Sequence, residues 1–238
     1  DHILGFRAVN GRGDIIKSGG NVVKNVTGYD LSKLICNSYG TLAAITEITF
    51  KVLPAPEENK TLVIHDLNLE SSIEYLSQSI SSSNDISGAT FLPMTPNCEN
   101  CKMDIKNTFQ LNDLKQNGSL TAVRVEGSKK SVDERATNLQ KRFSIPESNF
   151  SLLENLQSSI FWKKIRNLEF FSGTQNNIFR IVLPPTETAK LLYELPKKYK
   201  YFLDWGGSVI WMEACELSEQ YFNSIRKKVV MHGGYLSM

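Results

Sequence analysis

Two glycine-marked turns flank a short helix and then feed a strand in residues 19–51, GGNVVKNVTGYDLSKLICNSYGTLAAITEITFK, and no other stretch constrains the fold so tightly. Glycine tolerates left-handed turns and lets main-chain N–H groups approach a ligand without a Cβ in the way, and Gly19, Gly20, Gly28 and Gly40 are placed for that use. Between them, Asp30 reads as the cap of a helix carrying Leu31, Leu34 and Ile35 on one face. Ala43 to Phe50 alternate as a half-buried strand does. Such a turn can cradle a phosphate or a flavin.

Upstream, Ile3 to Val9 read as a strand, Asn10-Gly11-Arg12-Gly13 as a hairpin turn, and the chain from Ile15 as a second strand. The sequence opens at Asp1 with no signal segment, which reads as a fragment whose beginning is missing. With 238 residues the chain can bury one large core or two modest ones. Its 27 basic and 25 acidic residues leave a net charge of +2, so there is no electrostatic footprint for nucleic acid. No apolar run approaches the roughly 20 residues of a membrane helix, so no direct membrane insertion is expected.

After Pro54 and Pro56 the texture changes, and residues 54–60 read as a linker. Beyond it one element order occurs twice. The first copy runs through a strand at Thr61–His65, a helix at Leu69–Ile80, strands at Ser87–Leu92 and Leu120–Glu126, and a helix at Lys130–Phe143. A helix around Ser158–Phe170 joins it to the second copy: a strand at Ile178–Leu183, a helix to about Lys198, strands at Tyr201–Leu203 and Ser208–Met212, a helix at Ser218–Met231 and a strand at Tyr235. This β-α-β-β-α-β order is the ferredoxin-like arrangement.

Cys98 and Cys101 have the two-residue gap of a thiolate pair, but one pair is half a metal site. Cys36 lies on the apolar side of the short helix and Cys215 follows a strand, so neither is placed as a further ligand and no metal is expected. Cysteine usage fits a reducing cytoplasm. The histidines, His2, His65 and His232, are scattered and form no catalytic constellation, so no catalytic residue is assigned. Arg180, a cation in an otherwise apolar strand, either clamps a carboxylate or is turned to solvent by alternation. Trp205 beside two glycines forms an aromatic wall toward a ligand or partner, or belongs to a core or interface.

Three motifs in register carry a resemblance. Lys24-Asn25-Val26-Thr27-Gly28-Tyr29-Asp30-Leu31, Gly40-Thr41-Leu42 and Ile45-Thr46-Glu47 resemble the closing segment of the FAD-binding domain in FAD-linked oxidases of the vanillyl-alcohol oxidase/PCMH type, in particular the FAD-binding E subunits of bacterial glycolate oxidases. Shorter motifs extend it: Phe161-Trp162, Arg180 with Leu183-Pro184-Pro185-Thr186, Asp204-Trp205-Gly206-Gly207 and His232-Gly233-Gly234. The resemblance implies an α+β fold, with the C-terminal part of a PCMH-type FAD-binding domain over residues 1–56 and a duplicated ferredoxin-like antiparallel cap domain over 57–238. It implies FAD as cofactor, held by Lys24, Asn25, Gly28, Tyr29, Gly40, Thr41 and Ile45, with Arg180 and Trp205 on the substrate side. Lys24 would offset the charge of a reduced flavin, and Tyr29 would stack near the ring or anchor the loop. Ala43 and Ala44 replace the family's usual Gly and Ile or Val beside the adenine. It further implies a flavin-dependent subunit that oxidises a small 2-hydroxyacid within a cytoplasmic hetero-oligomer. Its partners would be a larger flavin-binding D-type subunit and an iron–sulfur subunit, through which any membrane association is made. The competing reading is a non-catalytic assembly subunit with a degenerate FAD fold.

Overall fold

A computed structural model describes residues 2–22, 28–93, 118–143, 146–196, 199–214 and 218–237. The chain divides into two units, Asp1–Ala55 and Pro56–Met238. In the first, β1 (Ile3–Asn10), β2 (Ile15–Gly19) and β3 (Ala43–Phe50) form an antiparallel sheet in the order β2-β1-β3. The hairpin closes because the Asn10 side-chain oxygen accepts from the backbone N–H groups of Arg12 and Asp14, both at 2.9 Å. Helix α1 (Leu31–Ile35) begins where Asp30 accepts from the Lys33 N–H at 3.3 Å. Phe6, Ala8, Ile35 and Ala43 are its small core, with Ile16 and Leu31 against them.

Three expectations about this unit need correction. Leu34 is exposed while Ile35 is buried, because a helix of barely more than one turn offers only a narrow buried stripe. Strand β3 has the predicted bounds but not the predicted half-burial, since beyond Ala43 its side chains on both faces remain accessible. Cys36 is also exposed, as the residue that ends α1 rather than a member of its apolar side.

The second unit is built on one eight-stranded antiparallel sheet. Its elements are β4 (Glu58–His65), α2 (Leu69–Ile80), β5 (Ile86–Leu92), β6 (Leu120–Gly127), α3 (Lys129–Arg142) and β7 (Phe150–Glu154), then α4 (Asn155–Arg166) and a 3-10 turn at Glu169–Phe171. They continue with β8 (Ile178–Val182), α5 (Pro185–Glu194), β9 (Tyr201–Asp204), β10 (Val209–Glu213), α6 (Glu219–Met231) and β11 (Tyr235–Ser237). The strand order is β11-β8-β10-β9-β5-β6-β4-β7. Numbered within its own half, each β-α-β-β-α-β repeat has the spatial order 4-1-3-2, and the halves meet where β5 pairs with β9 at Phe91 and Leu203. The Thr90 hydroxyl reinforces that seam by donating to the Leu203 carbonyl at 2.6 Å.

Local signals explain the helix ends. Asn68 caps α2 by accepting from Ser71 N–H at 2.8 Å, Ser218 caps α6 by accepting from Tyr221 N–H at 3.3 Å, and Pro185 stands in the first turn of α5. Helix α5 stops at Glu194, short of Lys198, because Leu195 precedes Pro196 and is extended. The linker is shorter than expected: Glu58 to Lys60 pair with β6, and the Lys60 ammonium bridges Asp133 and Glu154 at 2.7 Å each.

Alternation along the strands gives the sheet two buried faces. On one, Leu62, Ile64, Phe91, Val123, Ile181 and Ile210 pack with the residues of α2, α3, α5 and α6, including Leu76, Leu139, Leu191 and Val229. On the other, Val63, Leu92, Ala122 and Phe202 are covered by Phe161, Trp162 and Ile165 of α4 and by Phe170 and Phe171. Helix α4 covers only part of this second face. The strip beside it is where the unit opens into a cavity.

Candidate functional site

In the first unit, Gly28 and Gly40 have φ of 82° and 74°, and a Cβ built on either would meet no atom within 4 Å. Both therefore present left-handed backbone to open space. Tyr29 stands 93% exposed before α1, Thr41 bonds back to the Ser38 carbonyl through its N–H at 2.9 Å, and Ile45 is an exposed residue of β3 opposite Ala8. Lys24 and Asn25 lie outside the described residues. Asn37 and Tyr39, not singled out from the sequence, also have positive φ, 62° and 52°, so the segment leading to Gly40 is held in a sparsely populated conformation. The readable signal was an asparagine and a glycine bracketing a short turn.

Gly19 serves a different purpose from the one expected. With φ of 72° it pairs with Gly5 across the β1–β2 ladder, and a Cβ there would lie 2.1 Å from the Leu4 carbonyl oxygen. Its lack of a side chain permits two strands to close, not a ligand to approach.

In the second unit a cavity of about 860 Å³ lies between α4, the start of β5 and the β9–β10 turn. All three tryptophans of the chain, Trp162, Trp205 and Trp211, line it, together with the cations Arg124, Lys163 and Arg166 and a single carboxylate, Asp204. Trp162 is in the floor. Its indole N–H donates to the Thr61 hydroxyl at 2.8 Å, which is 2.7 Å from the Ser158 hydroxyl, so a buried polar chain fixes the ring. Gly88 makes room for it, since a Cβ there would meet the ring at 2.9 Å.

Arg124 lies over this ring, its guanidinium carbon 5.1 Å from the ring centre. Its Nε donates to the Ser87 hydroxyl at 3.1 Å, and its Nη2 donates to the Ser87 carbonyl at 3.2 Å and lies 3.1 Å from the Glu126 carboxylate. Burial pulls this guanidinium below its usual range, Glu126 opposes that, and the like charge of Arg166 adds to it. On the far wall burial pushes the Asp204 carboxyl up, against the Trp205 N–H that donates to it at 2.8 Å, the Trp211 side chain and the charge of Arg180. Trp205, Gly206 and Gly207 have successive φ of 50°, 67° and 90°, which explains the glycines: this left-handed turn projects Trp205 70% exposed at the rim. Arg180 is half-buried behind that wall, donating to the Tyr235 hydroxyl at 3.1 Å with its guanidinium 5.8 Å from the Trp211 ring centre. Arg180 and Trp205 thus share neighbours in Asp204 and Trp211. The sequence reading missed Arg124 and Trp211, which carry no local motif.

The histidines stand apart. His2 lies 3.5 Å from the Lys51 carbonyl, and the buried His65 ring is 2.8 Å from the Ser151 hydroxyl. His232, at the end of α6, lies between Glu187 at 2.9 Å and Glu194 at 3.0 Å of α5. Glu187 first, and Glu194 after it, raise the His232 pKa above its ordinary 6.5. A group whose folded pKa is raised stabilises fully below its unfolded pKa, and that contribution fades as pH climbs through the folded value. The melting temperature is therefore expected to drop as pH rises from 6.5 through the raised native pKa, and His232→Gln should flatten that slope. A slope unchanged in the variant would assign it elsewhere. Cys98, Cys101 and Cys215 lie outside the described residues. Among the described residues no helix is long and apolar enough to cross a membrane.

No protein-family model matches the chain. Curated relatives do: the chain is 29% identical over 216 residues to glycolate oxidase subunit GlcE of Escherichia coli (strain K12), covering 90% of this chain and 49% of the relative. It is 41% identical over 95 residues to glycolate oxidase subunit GlcD of Bacillus subtilis (strain 168), covering 40% of this chain and 19% of that one. Among solved structures, alkyldihydroxyacetonephosphate synthase matches with a TM-score of 0.66 and 16% identity, over all of this chain and 50% of the other, which shows a shared α+β fold. The chain spans about half the length, or less, of these proteins.

Proposed function

We propose that this chain is part of the FAD-binding subunit of a glycolate oxidase-like 2-hydroxyacid dehydrogenase, within the FAD-linked oxidase family. The observation that carries this reading is the similarity to GlcE, which runs through 90% of the chain rather than through one motif. On it, Asp1–Ala55 corresponds to the C-terminal part of a PCMH-type FAD-binding domain and Pro56–Met238 to a ferredoxin-like cap. The open left-handed glycines fit the cofactor: Gly28 and Gly40 leave space that a side chain would fill, flanked by Tyr29, Thr41 and Ile45, and Lys24 and Asn25, which precede Gly28 in the sequence, would join them. FAD, when bound, supplies the hydride acceptor. The chain's own residues orient and shelter: Trp205 faces incoming substrate, and Arg180 braces Trp211 and biases the Asp204 carboxyl toward its charged form. Electrons would leave through a larger flavin subunit and an iron–sulfur subunit.

The test uses the full-length protein, alone and assembled with those partners, measured for flavin absorbance and for 2-hydroxyacid-dependent dye reduction. Flavin bands are expected from the full-length subunit itself, and turnover only from the assembly. Gly40→Val costs about 1–2 kcal/mol in left-handed strain and fills the open space with a branched side chain. Flavin affinity should then fall roughly tenfold or more, the equivalent of about 1.4 kcal/mol. A full-length subunit that lacks flavin bands would favour the non-catalytic role instead, and comparable turnover by the lone subunit would contradict the partnership.

A further inference from the structure

We propose that the cavity between α4, β5 and the β9–β10 turn binds an organic anion with an aromatic or comparably bulky apolar body, in the proposed reaction an aryl-substituted 2-hydroxyacid or its 2-oxoacid product. Size is the first reason. At about 860 Å³ the cavity is in the range that encloses drug-sized ligands, and a two-carbon hydroxyacid would leave most of it empty. Shape and chemistry of the walls are the second. The chain's entire tryptophan complement converges here, with Trp162 and Ile165 buried in the floor and Trp205 held out at the rim by a left-handed turn. The exposed Trp205 indole offers stacking to a planar group, and Ile80, Ile86 and Leu168 complete an apolar lining with the buried Trp162.

Charge is the third reason. Arg124, Lys163 and Arg166 outnumber the one lining carboxylate, and Arg124 is already oriented by Ser87 and the Trp162 ring. Glu126 pairs with Arg124 at 3.1 Å, so the positive charge that faces the cavity comes chiefly from the exposed Lys163 and Arg166, and an anion placed beside them accepts charge-assisted hydrogen bonds. Asp204 lines the wall formed at the β9–β10 turn, where its carboxylate accepts from the Trp205 N–H at 2.8 Å, and it can accept a further hydrogen bond from the ligand's hydroxyl. The cavity itself rests on nothing in the preceding section; only the 2-hydroxyacid identity of its occupant does.

The test is binding by the whole 238-residue chain, read by titration calorimetry and by tryptophan emission, which here reports on this cavity alone. Three probes separate the contributions: 3-phenyllactate, glycolate, and 3-phenylpropane-1,2-diol, which keeps the ring and lacks the carboxylate. Saturable binding of phenyllactate is expected, with both others weaker by roughly tenfold or more, as loss of a charge-assisted contact or of an aromatic body predicts. Arg124→Gln should weaken phenyllactate and leave the diol unchanged. Because Arg124 also packs, the Lys163→Gln/Arg166→Gln variant, altered only on the exposed rim, provides the second test of charge and should weaken phenyllactate several-fold. Absence of saturable phenyllactate binding, glycolate or diol binding as tightly as phenyllactate, or indifference to the rim variant would overturn the proposal. Phenyllactate binding by a protein whose full-length subunit holds no flavin would overturn the oxidase reading and leave this one standing.

Discussion

Gly19→Ala is expected to unfold the first unit while leaving the second intact. The added Cβ would sit 2.1 Å from the Leu4 carbonyl oxygen and 2.7 Å from the Gly5 Cα, backbone atoms with no rotamer through which to retreat. Left-handed strain adds about 1–2 kcal/mol and overpacking a further ~1–3 kcal/mol. Opposing that, among the described residues, is a core of four buried side chains, Phe6, Ala8, Ile35 and Ala43, and small cores are marginal to begin with. Amide exchange should show loss of protection in β1, β2 and β3 and unchanged protection in the eight-stranded sheet. Gly28→Ala is the control, with positive φ but open space, and should keep the small sheet. Native-like protection of the β1–β2 hairpin in Gly19→Ala would refute the steric account.

The contrast between Gly19 and Gly40 also marks how far sequence reasoning reaches. Both glycines announce a left-handed turn, and both have one, but only a second strand in place reveals that Gly19 answers to a neighbouring backbone and Gly40 to open space. Elements governed by local chemistry were legible: α2 runs over the predicted Leu69–Ile80 because Asn68 caps it and its apolar residues repeat at helical spacing. The duplicated element order was legible for the same reason. Strand β7 was not, because Phe150–Glu154 runs directly into α4 and becomes a strand by pairing with β4, Ile64 opposite Phe150 and Lys60 opposite Glu154. The same long-range pairing converted the end of the linker into β4. Strand β3 shows the reverse failure, since alternation says which residues can be buried and not whether anything covers them. Arg124, Trp162, Asp204 and Trp211 come from β6, α4, β9 and β10, so the cavity they share has no signature in the sequence.

Phe202→Ala is the substitution expected to cost the second unit most. The ring is fully buried on the face that α4 leaves partly open, 5.4 Å from Phe170 and 5.7 Å from Phe171 between ring centres. Truncation of a buried phenylalanine costs about 3–5 kcal/mol through lost burial and the cavity left behind, and each aromatic pair contributes a further ~0.5–1.5 kcal/mol. That is a large share of the roughly 5–15 kcal/mol by which domains are stable. The position magnifies the loss, because β9 is the seam: Leu203, the next residue, is the partner of Phe91 and the acceptor for Thr90 where the two halves of the sheet join. Asp204 and Trp205 follow directly, so a slackened β9 should also blur the cavity wall. Denaturant unfolding followed by tryptophan emission measures both effects. The expected result is a midpoint displaced by the equivalent of about 3 kcal/mol or more, with native emission shifted toward that of exposed indole, and a much smaller loss for Phe202→Leu, which keeps most of the volume. A loss below about 1 kcal/mol for the alanine variant would mean that the Phe170–Phe171 turn collapses onto the gap and that the aromatic cluster does not pin the seam.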